Sequence, residues 1–82
     1  MRTFLLCHTH GPRECPVAFA AWSGFDSPLR HAATAGSCAE NGHTHRIWWA
    51  IDASDEHEAF ACLPPWVAER TVAERVSRLE IP

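Results

Sequence analysis

Two histidine pairs constrain this chain more than anything else in it. His8-Thr9-His10 follows the apolar run Phe4-Leu5-Leu6-Cys7, and His43-Thr44-His45 precedes the apolar run Ile47-Trp48-Trp49-Ala50-Ile51. Apolar runs of that length, rich in large residues, suit buried strands, and residues two apart on a strand share a face. Each tripeptide therefore sets two imidazoles on one side of a strand, one copy closing the first strand and the other opening a later one. If the two strands are antiparallel neighbours, the imidazoles gather at one end of a sheet. A register in which paired positions sum to 53 sets His8 against His45, His10 against His43, Leu6 against Ile47 and Phe4 against Trp49.

The rest of the chain supplies elements around that pair. Thr3 to His10 reads as strand one, broken by Gly11-Pro12. Pro16 suits a first helical turn, and Val17 to Trp22 continues with Ala18, Trp22 and Phe25 at helical spacing until Ser23-Gly24 stops it. Asp26-Ser27-Pro28 starts a turn or a short extra helical turn. His31 to Cys38 reads as a second strand of small residues, followed by an Asn41-Gly42 hairpin signal and a third strand from His43 to Asp52. Ser54 is the expected N-cap of a second helix with Asp55 and Glu56 in its first turn. That helix runs to about Leu63, stops at Pro64-Pro65, and is followed by a further turn around Trp66 to Arg70. Thr71 to Ile81 reads as a charged edge strand, with an extension of the helix as the alternative. The order is β-α-β-β-α-β, the split βαβ or ferredoxin-like arrangement: an α+β domain over 1–82, with a four-stranded antiparallel sheet and two helices on one face. In that topology strands one and three are the central antiparallel neighbours.

Eighty-two residues make one domain with a thin margin for a core. Net charge is −3 with neutral histidines, which gives no electrostatic footprint for nucleic acid. The chain has arginine but no lysine, so a lysine nucleophile or Schiff base is excluded. The short apolar run after Met1-Arg2-Thr3 is too small for a signal peptide or a membrane span, and a cytoplasmic protein with reduced thiols is expected. Trp48 and Trp49 must face opposite sides of the sheet. One indole is then left on the face without helices, an apolar patch that predicts a homodimer packed sheet to sheet.

In this topology one end of the fold collects His8, His10, Cys15, Cys38, His43 and His45. Imidazole and thiolate are ligands for nickel, copper and zinc, and Cys15 falls near a helix start, where a thiolate is stabilised. A transition-metal site built from those six residues is the leading expectation, with Cys15 favoured over Cys38 as the thiolate. Cys7 and Cys62 read as small buried residues, and His31 and His57 as residues without a role, His57 as a solvated side chain in the acidic first turn of the second helix. The rival is metal-free catalysis on a small apolar substrate, with Cys15 as nucleophile beside a histidine base. An apolar pocket lined by Trp22, Trp48 or Trp49 would favour it. No GxSxG, phosphate-cradling glycine loop or HExxH is present. Asp52, Asp55 and Glu56, the obvious acidic partners, are expected at the far end of strand three. A dimerisation module without chemistry is the third reading.

The element order, the strand-one histidines and the tryptophan-rich third strand resemble the small dimeric α/β-barrel proteins. That superfamily includes cofactor-free monooxygenases, haem-degrading enzymes, lactone isomerases and small nickel-binding proteins. The resemblance implies a dimer with a cavity between sheet and helices. The histidine and cysteine content is closest to the metal-binding members.

Overall fold

A computed structural model of the chain describes residues 1–32, 34–37 and 44–82. Four strands, β1 (Arg2–His10), β2 (Ala35–Ser37), β3 (His45–Ala53) and β4 (Thr71–Val76), form one antiparallel sheet in the order β2-β3-β1-β4. Three short helices connect them: α1 (Cys15–Ala20), α2 (Glu56–Phe60) and α3 (Pro65–Ala68). Turns of 3₁₀ helix at Pro12–Glu14 and Pro28–Arg30 complete the connections.

Strict alternation makes β1 the spine of the sheet. Phe4, Leu6, His8 and His10 are buried, while Thr3, Leu5, Cys7 and Thr9 between them are only half-buried. Leu6 is flanked by Trp49 of β3 and Ala73 of β4. The core cluster joins Phe4, Leu6 and Trp49 to Leu29, Ala59, Leu63 and Val67, so the helices and turns cover that one face. The opposite face carries Leu5, Cys7, Trp48 and the exposed Val72.

The register differs from the expected one by two residues. Paired positions sum to 55: His10 faces His45, His8 faces Ile47, Leu6 faces Trp49 and Phe4 faces Ile51. A slip of one would have turned every core side chain outward, whereas a slip of two preserves the faces, and apolar patterning cannot choose between such registers. His43, expected opposite His10, and the Asn41-Gly42 turn lie outside the described residues, as does Cys38.

Element ends also moved. β2 covers Ala35–Ser37 among the described residues, where a strand from His31 was expected, consistent with the weak strand preference of alanine and glycine. β4 ends at Val76, before Leu79 and Ile81, which are exposed. The N-cap of α2 is Asp55, whose Oδ1 accepts from the Glu58 amide at 2.8 Å, while the Ser54 hydroxyl bonds the Glu58 carboxylate. Pro64-Pro65 does end the preceding turn, and Pro65 then serves as the first residue of α3, where its missing N–H costs nothing. Gly24 closes the turn after α1 with φ +72°, a conformation that suits glycine. Ser27 caps the turn that follows, accepting from the Leu29 amide and donating to the Cys62 carbonyl at 2.6 Å. Among the described residues no helix is long and apolar enough to cross a membrane.

Candidate metal centre

The site lies where β1 ends, α1 begins and β3 begins. Alternation buries His8 and His10 on the core face of β1, and pairing brings His45 of β3 directly beside His10. Cys15 arrives from the other side. The Gly11 amide donates to Glu14 Oε1 at 2.8 Å and the Glu14 amide to the Gly11 carbonyl at 3.0 Å, folding the Pro12–Glu14 turn so that Cys15 starts α1 over the strand ends. The Arg70 guanidinium lies 4.0 Å from the Glu14 carboxylate and stacks 3.9 Å from the Trp66 ring centre, which ties this turn to α3.

His10, Cys15 and His45 converge so that one donor atom from each lies within 4.8 Å of the others, and together they could hold a metal ion. Cys15 Sγ is 2.9 Å from His45 Nδ1 and 3.5 Å from His10 Nε2. Around tetrahedral zinc, with bonds of about 2.3 Å to sulfur and about 2.0–2.1 Å to nitrogen, adjacent sulfur and nitrogen ligands sit about 3.6 Å apart. The Cys15–His10 spacing already matches. The Cys15–His45 spacing is a hydrogen-bond distance and has to widen by roughly 0.7 Å to admit an ion of that geometry. The donor set, two imidazoles and one thiolate, suits zinc, copper or nickel and not the oxygen-seeking magnesium or calcium.

His8 stands behind this group. It is completely buried, its ring 6.4 Å from that of Trp49 and 6.0 Å from that of Trp66. Its Nδ1 is 3.3 Å from the Val67 carbonyl, and its Nε2 is 2.9 Å from His10 Nδ1. A carbonyl only accepts, so His8 Nδ1 donates. In a neutral ring Nε2 is then an acceptor, so His10 Nδ1 must donate to it. That leaves the lone pair of His10 on Nε2, the atom that faces Cys15. Thr71 reinforces the arrangement, since its hydroxyl donates to the Val67 carbonyl at 2.6 Å and lies 3.4 Å from His8 Nδ1. A backbone carbonyl thus sets the tautomer of two successive histidines, the outer-shell pattern typical of metal-binding imidazoles.

The electrostatics agree with neutral rings. Burial lowers the pKa of His8, with the Val67 carbonyl partly opposing and His10 adding to the effect. Burial also lowers His10, helped by His45 and opposed by Glu14. Both shifts favour the deprotonated form, which is the form a metal ligand must have.

Of the six residues expected from sequence, the structure brings His10, Cys15 and His45 into one group and places His8 against His10, with both of its nitrogens engaged by protein atoms. Cys38 and His43 lie outside the described residues. His57 is exposed, as expected, and so is His31. Cys7 and Cys62 are half-buried, not fully buried; the Cys62 thiol is raised by burial and by Glu58. Asp52 pairs with Thr3 at the far end of the sheet, but the acidic residue that matters to the site is Glu14, which the sequence reading passed over. Thr71 and the Val67 carbonyl were also missed. A polar residue opening a strand that lies beside β1 was the available signal for Thr71.

Beside the His10–Cys15–His45 group lies a cavity of about 210 Å³ with His10, His45, Phe19 and Ile47 in its wall. A wider groove of about 330 Å³ is lined by Phe19, Leu29, Trp22 and Trp49 together with Arg30 and Thr34. Trp48 lines neither. No family model matches this chain, no curated protein matches it, and no solved structure matches it.

Proposed function

We propose that this chain is a small metal-binding protein in which His10, Cys15 and His45 hold one nickel, copper or zinc ion. The observation that carries the reading is the convergence of these three donors with His10 already oriented by His8. Solvated rim histidines would need neither burial nor a defined tautomer. Cys38 and His43 stay in the proposed ligand set on the sequence pattern alone, while His8, with its two nitrogens against the Val67 carbonyl and His10, orients His10 and is not itself a ligand. Storage, delivery, sensing and a metal-dependent reaction are all uses of such a site. The test is metal analysis of protein purified without a His-tag, followed by zinc titration of the His10→Ala, Cys15→Ser and His45→Ala variants. Each variant is expected to stay folded and bind zinc at least tenfold more weakly. Unchanged affinity in all three returns the histidines to a buried polar cluster.

The order β2-β3-β1-β4, with the first and third strands innermost, supports the ferredoxin-like reading. Leu5, Cys7, Trp48 and Val72 on the face away from the helices support a homodimer formed there, in the manner of the small dimeric α/β-barrel proteins. Thiols at Cys7, Cys15 and Cys62, with no disulfide among the described residues, are compatible with a reducing cytoplasmic setting.

A second reading is favoured by two observations. Cys15 Sγ lies 2.9 Å from His45 Nδ1, within reach for a base to take the thiol proton, and Trp22 and Trp49 line a groove that Arg30 and Thr34 also line. This is the metal-free enzyme acting on a small apolar substrate. Alkylation of Cys15 separates the readings. Strong protection by one equivalent of zinc favours the metal site, and rapid alkylation that zinc does not slow favours the nucleophile.

A further inference from the structure

We propose that a second copy of this chain covers the open sheet face about a two-fold axis at Cys7, so that Arg46 of each copy meets Glu74 of the other. The inference rests on the homodimer reading above and names the residues and the register of that contact. Strand alternation and pairing fix the layout of the face. Ala35, Trp48, Cys7 and Val72 form a row across the four strands, with Ala50 and Leu5 beside it. Val72 is 69% exposed, so the apolar row is open. Arg46 stands on one side of the row, two residues before Trp48, and Glu74 on the other, two residues after Val72. Both are exposed. The cross-strand neighbours of Arg46 are Thr9 and Ser37, and that of Glu74 is Leu5, so neither charge has its opposite beside it in the sheet. Among the described residues neither forms an ion pair. Asp52, the third charge on this face of the strands, is engaged by the Thr3 hydroxyl at 2.6 Å.

A two-fold contact requires a surface that complements itself: where one residue touches a second, the second touches the first. This face meets that condition about Cys7. On a flat map, with strands about 4.8 Å apart and about 3.3 Å per residue, Arg46 and Glu74 lie on opposite sides of Cys7, each about 8 Å from it. They are then about 16 Å from each other, too far to pair within one chain. A two-fold axis in the plane of the contact, through Cys7 and perpendicular to the line joining the two charges, exchanges their positions. Each Arg46 then lies over the partner's Glu74, and Trp48 comes close to the partner's Leu5. Axes through Cys7 parallel or perpendicular to the strands set Arg46 against no carboxylate. The strands of the two sheets cross at roughly 70° in the proposed arrangement, near the orthogonal class of sheet packing. Packed sheets lie about 10 Å apart, a gap that an arginine and a glutamate side chain span between them.

The test is sedimentation equilibrium of the full chain and of Arg46→Glu, Glu74→Arg and the double variant Arg46→Glu/Glu74→Arg, with circular dichroism to establish folding. Each single variant turns two attractive contacts into two like-charge ones and is expected to weaken the dimer at least tenfold. Glu74→Arg brings the net charge of −3 closer to zero, so weakening there cannot come from overall repulsion. The double variant restores both contacts with the signs exchanged and is expected to dimerise as the unsubstituted chain does. An equimolar mixture of the two single variants is expected to form a mixed dimer, because every crossing in it again joins an arginine to a glutamate. Single variants that dimerise as tightly as the unsubstituted chain, or weakened ones that neither mixing nor the double substitution restores, would overturn the Arg46–Glu74 register while leaving the dimer standing. Unsubstituted protein that stays monomeric at sub-millimolar concentration overturns the dimer reading and this inference together, and leaves the face to a different partner.

Discussion

Replacing His8 by phenylalanine isolates the role assigned to the residue behind the metal group. Phenylalanine fills nearly the same space between Trp49 and Trp66, so little cavity forms. The Val67 carbonyl keeps its bond from Thr71. What is lost is the acceptor for His10 Nδ1, and with it the constraint that points the His10 lone pair toward Cys15. Outer-shell partners of this kind are worth about 10–100-fold in metal affinity, which is about 1.4–2.7 kcal/mol. In metal-free protein the unsatisfied buried N–H costs about 1–3 kcal/mol, offset in part by the polar ring no longer being buried. His8→Gln restores an acceptor near the position of Nε2, so its zinc affinity should recover to within a few-fold of the unsubstituted protein. The assay is competition for zinc against a chromophoric chelator, with urea denaturation to establish folding. Unchanged zinc affinity in a folded His8→Phe variant would refute the orienting role. A loss far beyond 100-fold that His8→Gln does not relieve would make His8 a direct ligand instead.

Burial lowers the pKa of His8 and His10, so metal-free protein should lose stability as pH falls below about 6.5, the unfolded value. Below that pH the unfolded chain takes up protons that the folded chain refuses, at up to about 1.4 kcal/mol per pH unit per histidine, until the folded-state pKa is passed. Urea unfolding at pH 7.5, 6.5 and 5.5 checks this, and a flat profile would count against buried neutral rings. Leu6→Ala, at the centre of the sheet with no exposed surface, should cost about 2–5 kcal/mol in the same assay. A loss below 1 kcal/mol would put Leu6 outside the core. Val72→Asp, on the open face, should convert a dimer to a monomer in light scattering without changing zinc stoichiometry. A monomer before substitution would dispose of the dimer.

The strands were legible because β1 and β3 carry long apolar runs whose alternation survives into the burial pattern. The approach of the two histidine pairs followed from that, and His10 and His45 do meet. The two-residue shift in register was not legible, since it moves no side chain to the other face. Yet it decides roles: it sets His8 one pair deeper than His10, beside Ile47 and Thr71 and away from His45. Val67 and Thr71 contact His8 from 59 and 63 residues away, through a turn at Pro64-Pro65 whose geometry local propensity does not fix. The approach of Cys15 to the histidines was legible because Gly11-Pro12 ends the strand and Pro16 suits a helix start just beyond it, and Cys15 does meet His10 and His45.

The central claim is that one ion is bound by His10, Cys15 and His45, and X-ray absorption at the zinc edge of the zinc-loaded protein tests it most directly. The expected shell contains sulfur at about 2.3 Å and at least two nitrogens at about 2.0–2.1 Å, with the sulfur contribution lost or reduced in Cys15→Ser. A zinc shell of nitrogen and oxygen alone, or a sulfur contribution that Cys15→Ser leaves intact, would contradict it.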